Sequence, residues 1–385
     1  MLRRHHTLLL IWVFSFLIAC EQDEKQDPGG PLVDCVTSGS SYHGQEVSDQ
    51  YIVSFIDDAR SSGRMSPAAR TLEHHHIAAS KIKDVIEGEG ISNYVLNISD
   101  EEAQSLKNNS NVVAVEPDRY LSIKACFAVL EPTLVTWNVK KVGYGDGTTK
   151  TAWILDTGID LDHPDLNVDT QRSRSFNEGE TSAEDNNGHG THIAGVIGAK
   201  NNAIGTLGVA SGATIVGLKI LDENGEGLLS VALKAIAYVK TNGRAGDAVN
   251  ISMGLEDVSE ILEREVKALS DKGIYVVIAA GNESRPANNF SPARTAGKNI
   301  YTITAVDSTN RFASFSNYGN DVVDYAAPGV KILSTYKNGK YAIMSGTSMA
   351  APHVTGLLLI NNGVLNSDGT AIDDPDGTPD PIVHR

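Results

Sequence analysis

The sequence contains few cysteines and few aromatic residues. Its 385 residues include three cysteines and three tryptophans, and aromatic side chains make up 6% of the chain. Three cysteines form at most one intramolecular disulfide, which excludes a small fold held together by several bridges. The fold must instead be stabilised by hydrophobic burial, and a chain of this length with 41% hydrophobic residues can bury a sizeable core in more than one domain.

The chain also has fewer positively charged than negatively charged residues. It carries 32 Lys and Arg residues against 48 Asp and Glu residues, a formal net charge of −16. This balance disfavours a nucleic-acid partner, because phosphate groups are attracted to basic surfaces. It favours a soluble, acidic protein that works outside the cytoplasm.

The amino terminus has only a short hydrophobic run. Two arginines precede Leu8–Ile18, which is too short for a comfortable transmembrane helix, so residues 1–20 are predicted to be an export signal. The ending Leu17–Cys20 resembles the lipobox of bacterial lipoproteins. This resemblance implies that Cys20 is lipidated and that the chain is anchored to a membrane of the cell envelope on an extracytoplasmic side. Ordinary signal cleavage near Ala19 is the alternative.

Two further segments precede the main part of the chain. Residues 21–49 begin with a stretch rich in acid, Gln, Gly and Pro and are predicted to be a flexible linker. Residues 50–124 are predicted to form a small α+β unit with the element order βαββαβ. The hydrophobic patterns place strands at Tyr51–Phe55, Tyr94–Ile98 and Val112–Asp118 and helices at Ala68–Glu87 and Asp100–Asn108. The three histidines at 74–76 point in different directions on a helix, so a solvated face is predicted rather than a metal site.

Residues 127–385 are predicted to form one α/β domain. Short apolar runs alternate with segments of helical spacing, which is typical of a doubly wound, mostly parallel sheet. In such a sheet, functional side chains are expected at the carboxyl ends of the strands. The predicted strands are Thr151–Leu155, Ala213–Leu218, Ala248–Met253, Tyr275–Ala280 and Tyr301–Ala305, and the predicted helices include Leu228–Lys240 and Val258–Lys272.

Three motifs carry candidate chemistry. Ser345–Gly356 is a tight turn that leads into a buried helix, with Ser348 at the helix start, where the dipole favours negative charge. Taken alone, that serine is equally typical of a helix cap. However, Asp156 ends an apolar strand, and His189 lies between glycines at the start of another helix. An Asp, a His and a Ser in these positions are the parts of a serine nucleophile with an oriented base.

With these motifs, the sequence resembles the subtilase family of serine endopeptidases from about Trp137 to Gly356. Ala279–Glu283 also resembles the oxyanion-hole segment of the family. The resemblance implies hydrolysis of extended polypeptides through an acyl-enzyme. Asp156 would orient His189, His189 would take the proton of Ser348, and Asn282 with the Ser348 amide would stabilise the oxyanion. A turn-forming Asn is the alternative for Asn282.

The resemblance also implies where substrate binds. Gly225–Glu226–Gly227 and Ser252–Met253–Gly254 would form the two edges that pair with a substrate strand, and Glu283 would lie near the rim of the pocket. Ordinary loop and strand glycines are the alternative. His192 and His353 are predicted to be core residues rather than catalysts.

Calcium is the only cofactor that the resemblance implies. Asp165 and the loop residues Lys200, Asn202, Ile204 and Thr206 resemble a family calcium site, with the oxygen ligands that Ca²⁺ prefers. A second candidate, Asp374–Asp380, has alternating carboxylates, and an acidic tail is its alternative. The sequence departs from the family in a short segment between Trp137 and Asp156 and in the absence of later helices after Gly356.

The unit at 50–124 resembles the inhibitory prosegment of subtilases, so the chain's own prosegment is an expected partner. The resemblance places the processing cut between Lys124 and Glu131. With Cys20 lipidated, Cys35 and Cys126 are expected to form a disulfide, and two unpaired thiols are the alternative. A cut after Cys126 is favoured at this point, which would release the enzyme from its anchor once the prosegment is degraded.

Two other functions are compatible with the sequence. One is a catalytically silent binding protein on the same scaffold, because fold does not determine function. The other is an anchored inhibitor in which residues 51–124 are the working part. The intact set of Asp156, His189, Asn282 and Ser348 favours the enzyme. The sequence predicts neither the physiological substrate nor the oligomeric state.

Overall fold

The structure is a computed structural model that describes residues 44–56, 65–88, 90–122, 126–129 and 135–385. Only the backbone is described for Ser122 and for 126–129. The predicted signal, most of the predicted linker, Cys20 and Cys35 therefore lie outside the described residues, as does the side chain of Cys126.

Residues 44–122 form an antiparallel sheet with helices on one face, and we call them the amino-terminal unit. Its elements are β1 (Glu46–Ile56), α1 (Pro67–His74), β2 (Ile82–Ile86), β3 (Ile91–Asn97), α2 (Asp100–Leu106) and β4 (Val112–Ser122), with a short 3₁₀ turn at Ala79–Lys81. The strands lie in the order β4-β1-β3-β2. Their inward residues pack with both helices around Phe55, Leu72, Leu96 and Leu106.

The predicted helix at 68–87 is wrong in its second half. Helix α1 ends at His74, His76 adopts a left-handed φ of 57°, and the Ile77 amide donates to the Leu72 carbonyl at 2.8 Å. This bond closes the helix, and the contact between Ile77 and Leu72 supports it. Residues 82–86 then pair with β3 as strand β2.

The rest of the described chain, residues 126–129 and 135–385, is built on a large twisted sheet. The strands are β5 (Cys126–Val129), β6 (Gly145–Asp146), β7 (Thr151–Asp156), β8 (Asn167–Val168), β9 (Arg174–Ser175), β10 (Ala210–Ser211), β11 (Thr214–Lys219), β12 (Glu226–Leu228), β13 (Ala248–Ile251), β14 (Tyr275–Ala279), β15 (Ile300–Val306), β16 (Tyr325–Pro328), β17 (Ile332–Tyr336), β18 (Lys340–Ser345), β19 (Asn366–Thr370) and β20 (Pro381–His384). The helices are α3 (Trp137–Val142), α4 (His189–Gly198), α5 (Leu229–Asn242), α6 (Glu260–Asp271) and α7 (Thr347–Ile360), with a 3₁₀ turn at Ala287–Asn289.

The main sheet confirms the predicted α/β class. Its order is β19-β20-β16-β15-β14-β13-β7-β11-β8, with β9 also paired to β11, and every pairing except β19 with β20 is parallel. Strands β7, β11, β13, β14 and β15 lie within two residues of their predicted ends. Their near-continuous apolar sequence reflects burial on both faces.

Helices cover both faces of this sheet. On β7, Trp153 and Leu155 point to one side and pack in a hydrophobic cluster with α5 and α6. Ala152 and Ile154 point to the other side and pack in a cluster with α4 and α7. This alternation is the period-two geometry of a strand and produces the doubly wound arrangement.

The chain after α7 contains two strands in place of further helices. β20 extends the main sheet next to β16, and Ile382 and Val383 are buried there. β19 is the exposed outer strand. Among the residues described, no helix combines enough length and hydrophobicity to span a bilayer.

Helix α4 packs very closely against strand β17, and this contact yields a stability prediction. A Cβ added at Gly195 would lie 2.2 Å from Thr335 Oγ1 and 2.3 Å from Ser334 Oγ, whereas at Gly198 the nearest atom would be 3.1 Å away. We expect Gly195→Ala to lower the free energy of unfolding by about 1–3 kcal/mol or more. Gly198→Ala, in the same helix, is the matched control. Equal thermal midpoints for the two variants would contradict the packing described here.

Candidate active site

Asp156 and His189 form a buried hydrogen-bonded pair. Asp156 ends β7, and His189 is the first residue of α4. The His189 Nδ1 lies 2.8 and 2.9 Å from the two carboxylate oxygens, and both side chains are 0% exposed. An ionised carboxylate only accepts, so Nδ1 carries the proton. In the neutral imidazole, Nε2 is then the proton acceptor, and it has no hydrogen-bond partner among the described residues.

Ser348 lies in the first turn of α7, as predicted, and is buried. Its Oγ donates to the carbonyl oxygen of Ser252 at 3.2 Å rather than to His189. A hydrogen bond between a serine nucleophile and its histidine base often forms only when substrate is bound. Ser252 directly follows β13, in which Ile251 pairs with Leu155 of β7, so the fold brings Ser348 to the sheet edge that also carries Asp156.

Pro352 explains how the backbone of Ser348 is held. In a helix, the amide of residue 352 would donate to the carbonyl of residue 348, but proline has no N–H. The Ser348 carbonyl instead accepts from Ser252 Oγ at 3.2 Å. Ser252 Oγ in turn accepts from Asn250 Nδ2 at 2.8 Å, and Asn250 Oδ1 accepts from Thr355 Oγ1 at 2.9 Å. This buried chain of hydrogen bonds ties α7 to the end of β13.

Asn282 follows the turn after β14 and is held by Thr347. The backbone amide and the hydroxyl of Thr347 both donate to Asn282 Oδ1, at 2.8 and 3.0 Å. Because the oxygen is engaged in this way, the amide nitrogen lies on the opposite branch of the side chain. Asn282 and Ser348 line the same pocket. A side-chain N–H donor next to a serine is the arrangement that stabilises a tetrahedral oxyanion.

The pocket beside Ser348 is lined by apolar side chains, small polar side chains and one acidic residue, Glu283. Met253, Gly254, Phe290 and Glu283 contribute to its wall, as do Ala279, Ala280, Gly281, Ser291 and Ala293. The Glu283 carboxylate accepts from the Asn282 amide at 2.8 Å and from Asn317 Nδ2 at 2.9 Å. The predicted edge Ser252–Gly254 therefore lies at the mouth of the pocket, with Glu283 nearby.

The second predicted edge, Gly225–Gly227, overlaps β12: Glu226 and Gly227 lie in the strand and pair with the amino-terminal unit, and Gly225 directly precedes it. Strand β4 runs antiparallel to β12, with Ser122 opposite Glu226, Leu121 opposite Gly227 and Tyr120 opposite Leu228. A Cβ at Gly227 would lie 2.2 Å from the Ile220 carbonyl, so only glycine fits there. Strand β4 is thus an extended segment that adds to this edge as an antiparallel strand.

Comparison with known proteins identifies the family. The model of the subtilase family matches residues 151–363. The chain is 38% identical to the thermostable alkaline protease of Halalkalibacterium halodurans over 269 residues, which is 68% of this chain and 69% of that protein. It is 41% identical to subtilisin BL of Lederbergia lenta over 230 residues, 58% of this chain and 82% of that protein.

The chain belongs to the subtilase family. The alkaline serine protease ver112 of Corniculantispora psalliotae is 33% identical over 335 residues, 81% of this chain and 80% of that relative. A crystal structure of a cold-adapted subtilisin-like serine proteinase matches with a TM-score of 0.58 and 31% identity, and covers 66% of this chain and 98% of that one. This subtilase is therefore a serine endopeptidase with the subtilisin-like fold.

His192 and His353 are buried core residues, as predicted. His192 Nε2 donates to the carbonyls of Ile332 and Ala342, and burial lowers the pKa of its imidazole to about 3. His353 Nδ1 donates to the Met349 carbonyl, and burial lowers the pKa of that ring to about 4. Both rings are neutral at physiological pH, and both are held in place by hydrogen bonds.

The loop predicted to bind calcium is closed by its own hydrogen bonds. Asp165 accepts from Asn202 Nδ2 at 2.9 Å, from the Thr206 amide at 3.1 Å and from Tyr341 Oη at 3.3 Å. Asn202 Oδ1 accepts from the Ile204 amide at 2.9 Å, and Lys200 Nζ donates to the Pro164 carbonyl. Donors rather than free oxygens surround the carboxylate, so this arrangement does not fit a bound Ca²⁺. The calcium site predicted at these residues is therefore not supported by the arrangement described.

The second candidate loop also makes internal contacts. Asp380 is buried and accepts from Thr304 Oγ1, and Asp374 accepts from the Asp380 amide at 3.0 Å. Burial raises the pKa of Asp380 to about 7. Within the described ranges, no group of three or more His, Cys, Asp or Glu side chains is arranged to hold a metal.

Sequence reasoning missed the residues that hold the site together. Asn317 donates to the Ala280 carbonyl and accepts from the amides of Glu283 and Arg285, which fixes the loop that carries Asn282. Asp185 and Thr157 connect the Asp156 turn to α4. Asp185 precedes Asn-Asn-Gly and a helix start, a pattern that is typical of a capping turn and that could have indicated it.

The geometry of Asn282 gives a kinetic prediction. We expect Asn282→Ala to lower kcat about 10²–10³-fold with little change in KM, because an oxyanion donor acts mainly in the transition state. Steady-state hydrolysis of a fluorogenic peptide, with active enzyme counted by titration, measures both constants. Asn288→Ala, which loses an exposed contact to Asp321, is the control. A kcat within about threefold of wild type would contradict the assigned role.

Proposed function

We propose that this subtilase is an exported, lipid-anchored endopeptidase that is made as a self-processing zymogen. The observation that carries the catalytic part is the buried Asp156–His189 pair, at the same sheet edge as Ser348 and Asn282. Residues 1–20 would be the signal, 21–49 the linker, 50–124 the prosegment and 127–385 the peptidase domain.

The proposed reaction proceeds through an acyl-enzyme. His189 Nε2 takes the proton of Ser348 Oγ as that oxygen attacks the peptide carbonyl, and Asp156 stabilises the imidazolium that forms. Asn282 Nδ2 and the Ser348 amide hold the oxyanion. The imidazolium then gives its proton to the leaving amine. Water, activated by the same histidine, hydrolyses the ester and restores Ser348.

Contacts between the amino-terminal unit and helix α5 support an inhibitory prosegment. The residue at the N-cap position of α5 is Leu228, which has no side-chain acceptor. Asp118 of β4 supplies one, because its carboxylate accepts from the Ser230 amide at 3.0 Å and from Ser230 Oγ at 2.5 Å. An acidic group at a helix N-terminus is stabilised by the helix dipole.

Helix α6 receives a similar contact. The Ile261 amide donates to Glu116 Oε1 at 2.8 Å, and Arg264 donates to Ser54 Oγ and Asn93 Oδ1 of the amino-terminal sheet. Burial raises the pKa of Glu116 to about 7. Lys234 on α5 forms a further ion pair with Asp84. The sheet of the amino-terminal unit is thus bound to two adjacent helices of the peptidase.

The strand register on both sides of Ser348 supports a position for the processing cut. Ser122 pairs with Glu226 of β12, and Cys126 pairs with Ser345 of β18, three residues before Ser348. Residues 123–125 connect these two pairings and lie outside the described part of the chain. We therefore place the cut between Ser122 and Cys126. This differs from the cut after Cys126 that the sequence alone favoured.

Side-chain chemistry favours one bond within this interval. The intervening residues are Ile, Lys and Ala, and Lys124 is the middle one. A pocket with Glu283 in its wall complements a Lys side chain, with a preference of about 1 kcal/mol over an acidic one. Cleavage after Lys124 is the result that we expect.

The nucleophile is tested by the fate of the precursor. We expect Ser348→Ala to abolish peptide hydrolysis and to leave the chain full-length, because members of the triad act as a unit. Mass spectrometry of the wild-type product is expected to show Ala125 as the new amino terminus. Ser308→Ala, which changes an exposed serine in the turn after β15, is the control. Processing of the Ser348→Ala variant at the wild-type rate would contradict the proposed mechanism.

A cut before Cys126 changes the expected anchoring. Cys126 stays with the mature enzyme, while Cys20 and Cys35 stay with the prosegment fragment. If Cys35 and Cys126 form the expected disulfide, it keeps the processed enzyme covalently joined to the lipidated fragment. The enzyme would then be released from the membrane by reduction rather than by processing alone.

Gel electrophoresis of processed, membrane-associated protein tests this arrangement. We expect one band without reductant and two bands, enzyme and prosegment, with reductant. Cys126→Ser is the matched control and is expected to give two bands under both conditions. Two bands from the wild type without reductant would contradict the disulfide tether.

A further inference from the structure

Asp185 is a buried carboxylate with an unusually large number of hydrogen-bond donors around it. The residue as a whole is 2% exposed. Oδ1 accepts from Thr157 Oγ1 at 2.8 Å and from the amides of Asn187 and Gly188 at 3.0 and 2.8 Å. Oδ2 accepts from the amide and hydroxyl of Thr191 at 2.9 and 2.6 Å. All five partner groups are hydrogen-bond donors, as expected around an ionised carboxylate, which only accepts.

These donors come from two different parts of the site. Gly188 and Thr191 belong to the start of α4, on either side of His189. Thr157 is the residue after Asp156, and its hydroxyl also accepts from the Gly190 amide at 3.1 Å. Asp185 is therefore bonded to the backbone that carries the base and to the turn that carries its carboxylate partner.

The space between these two parts is very small. A Cβ on Gly190 would lie 2.1 Å from the Gly158 carbonyl oxygen and 3.1 Å from Asp156 Cβ. The N-cap position of α4 is Gly188, which has a φ of 111° and no side chain to cap the helix. The first-turn amides of α4 therefore donate to other side chains: His189 to Asn187 Oδ1, Gly190 to Thr157 Oγ1 and Thr191 to Asp185 Oδ2. Asp185 also bonds Thr157, so it contributes to two of these three contacts.

We propose that Asp185 is a positioning residue of the catalytic pair: it bonds both Thr157 and the first turn of α4, and so fixes Asp156 against His189. This inference rests on the proposed roles of Asp156 and His189. Asp185 itself contacts neither the His189 ring nor Ser348 among the contacts described, so it acts through the placement of the pair.

The experiment compares variants at both ends of this link. Asp185→Asn replaces one acceptor oxygen with an amide that faces N–H donors. Displacement of a catalytic group by about 1 Å costs up to about 10²-fold in rate, so we expect kcat per titrated active site to fall about 10²-fold, with KM changed less than about threefold. Asp169→Asn is the matched control, because Asp169 accepts from the Gln171 and Arg172 amides in a loop away from the site.

Thr157 provides a milder test that keeps the fold. Thr157→Val removes the hydroxyl at nearly constant shape and is expected to lower kcat, whereas Thr157→Ser retains the hydroxyl and is expected to restore it. The double variant Asp185→Asn/Thr157→Val is expected to lose less than the product of the two single losses, because both changes break one link.

Three outcomes would overturn the inference. The first is a folded Asp185→Asn protein whose thermal midpoint falls while its kcat equals that of the wild type. The second is a multiplicative loss in the double variant. The third is an unchanged kcat in Thr157→Val, which decides the question if Asp185→Asn does not fold. Failure of the proposed function is separate, since it would appear as activity in Ser348→Ala.

Discussion

The hydrogen bond between Asp156 and His189 requires a strand end and a helix start to meet in the absence of water. A buried carboxylate is costly unless donors satisfy it, and Asp156 accepts from the histidine ring and from the Thr157 amide at 2.7 Å. Helix α4 lies in the connection between the parallel strands β7 and β11. A helix in such a crossover starts near the carboxyl end of the preceding strand, so the start of α4 lies beside the end of β7. Gly190 of α4 follows from this requirement, since a Cβ there would lie 2.1 Å from the Gly158 carbonyl oxygen and 3.1 Å from Asp156 Cβ.

Much of the peptidase fold was predictable from the sequence because short apolar runs alternate there with segments of helical spacing. Strands such as β7 and β14 are continuous apolar runs, and Asp156, His189 and Ser348 lie at the ends of elements where a motif predicts them. The roles of these residues in catalysis stay predictions. Their placement at one edge of the sheet is a property of the fold.

Other features depend on contacts between distant residues, which a single sequence does not reveal. Helix α1 stops at His74 because Ile77 caps it and packs on Leu72, although the residues beyond it also have helical character. Strand β20 forms because Ile382 pairs with Ala326 at the outer edge of β16. The calcium loop is the opposite case. Its residue types match a metal site, yet Asn202 presents its nitrogen to Asp165.

The proline at 352 has a mechanical consequence for the nucleophile. The Ser348 carbonyl is bonded to Ser252 and not to the next turn of its own helix. Its position is therefore set by the central sheet, in which β13 lies between two parallel neighbours. The hydrogen bonds between Ser252 and Ser348 hold the first turn of α7 to this strand end without a backbone bond from residue 352. The serine stays in register with the strands that carry its partners.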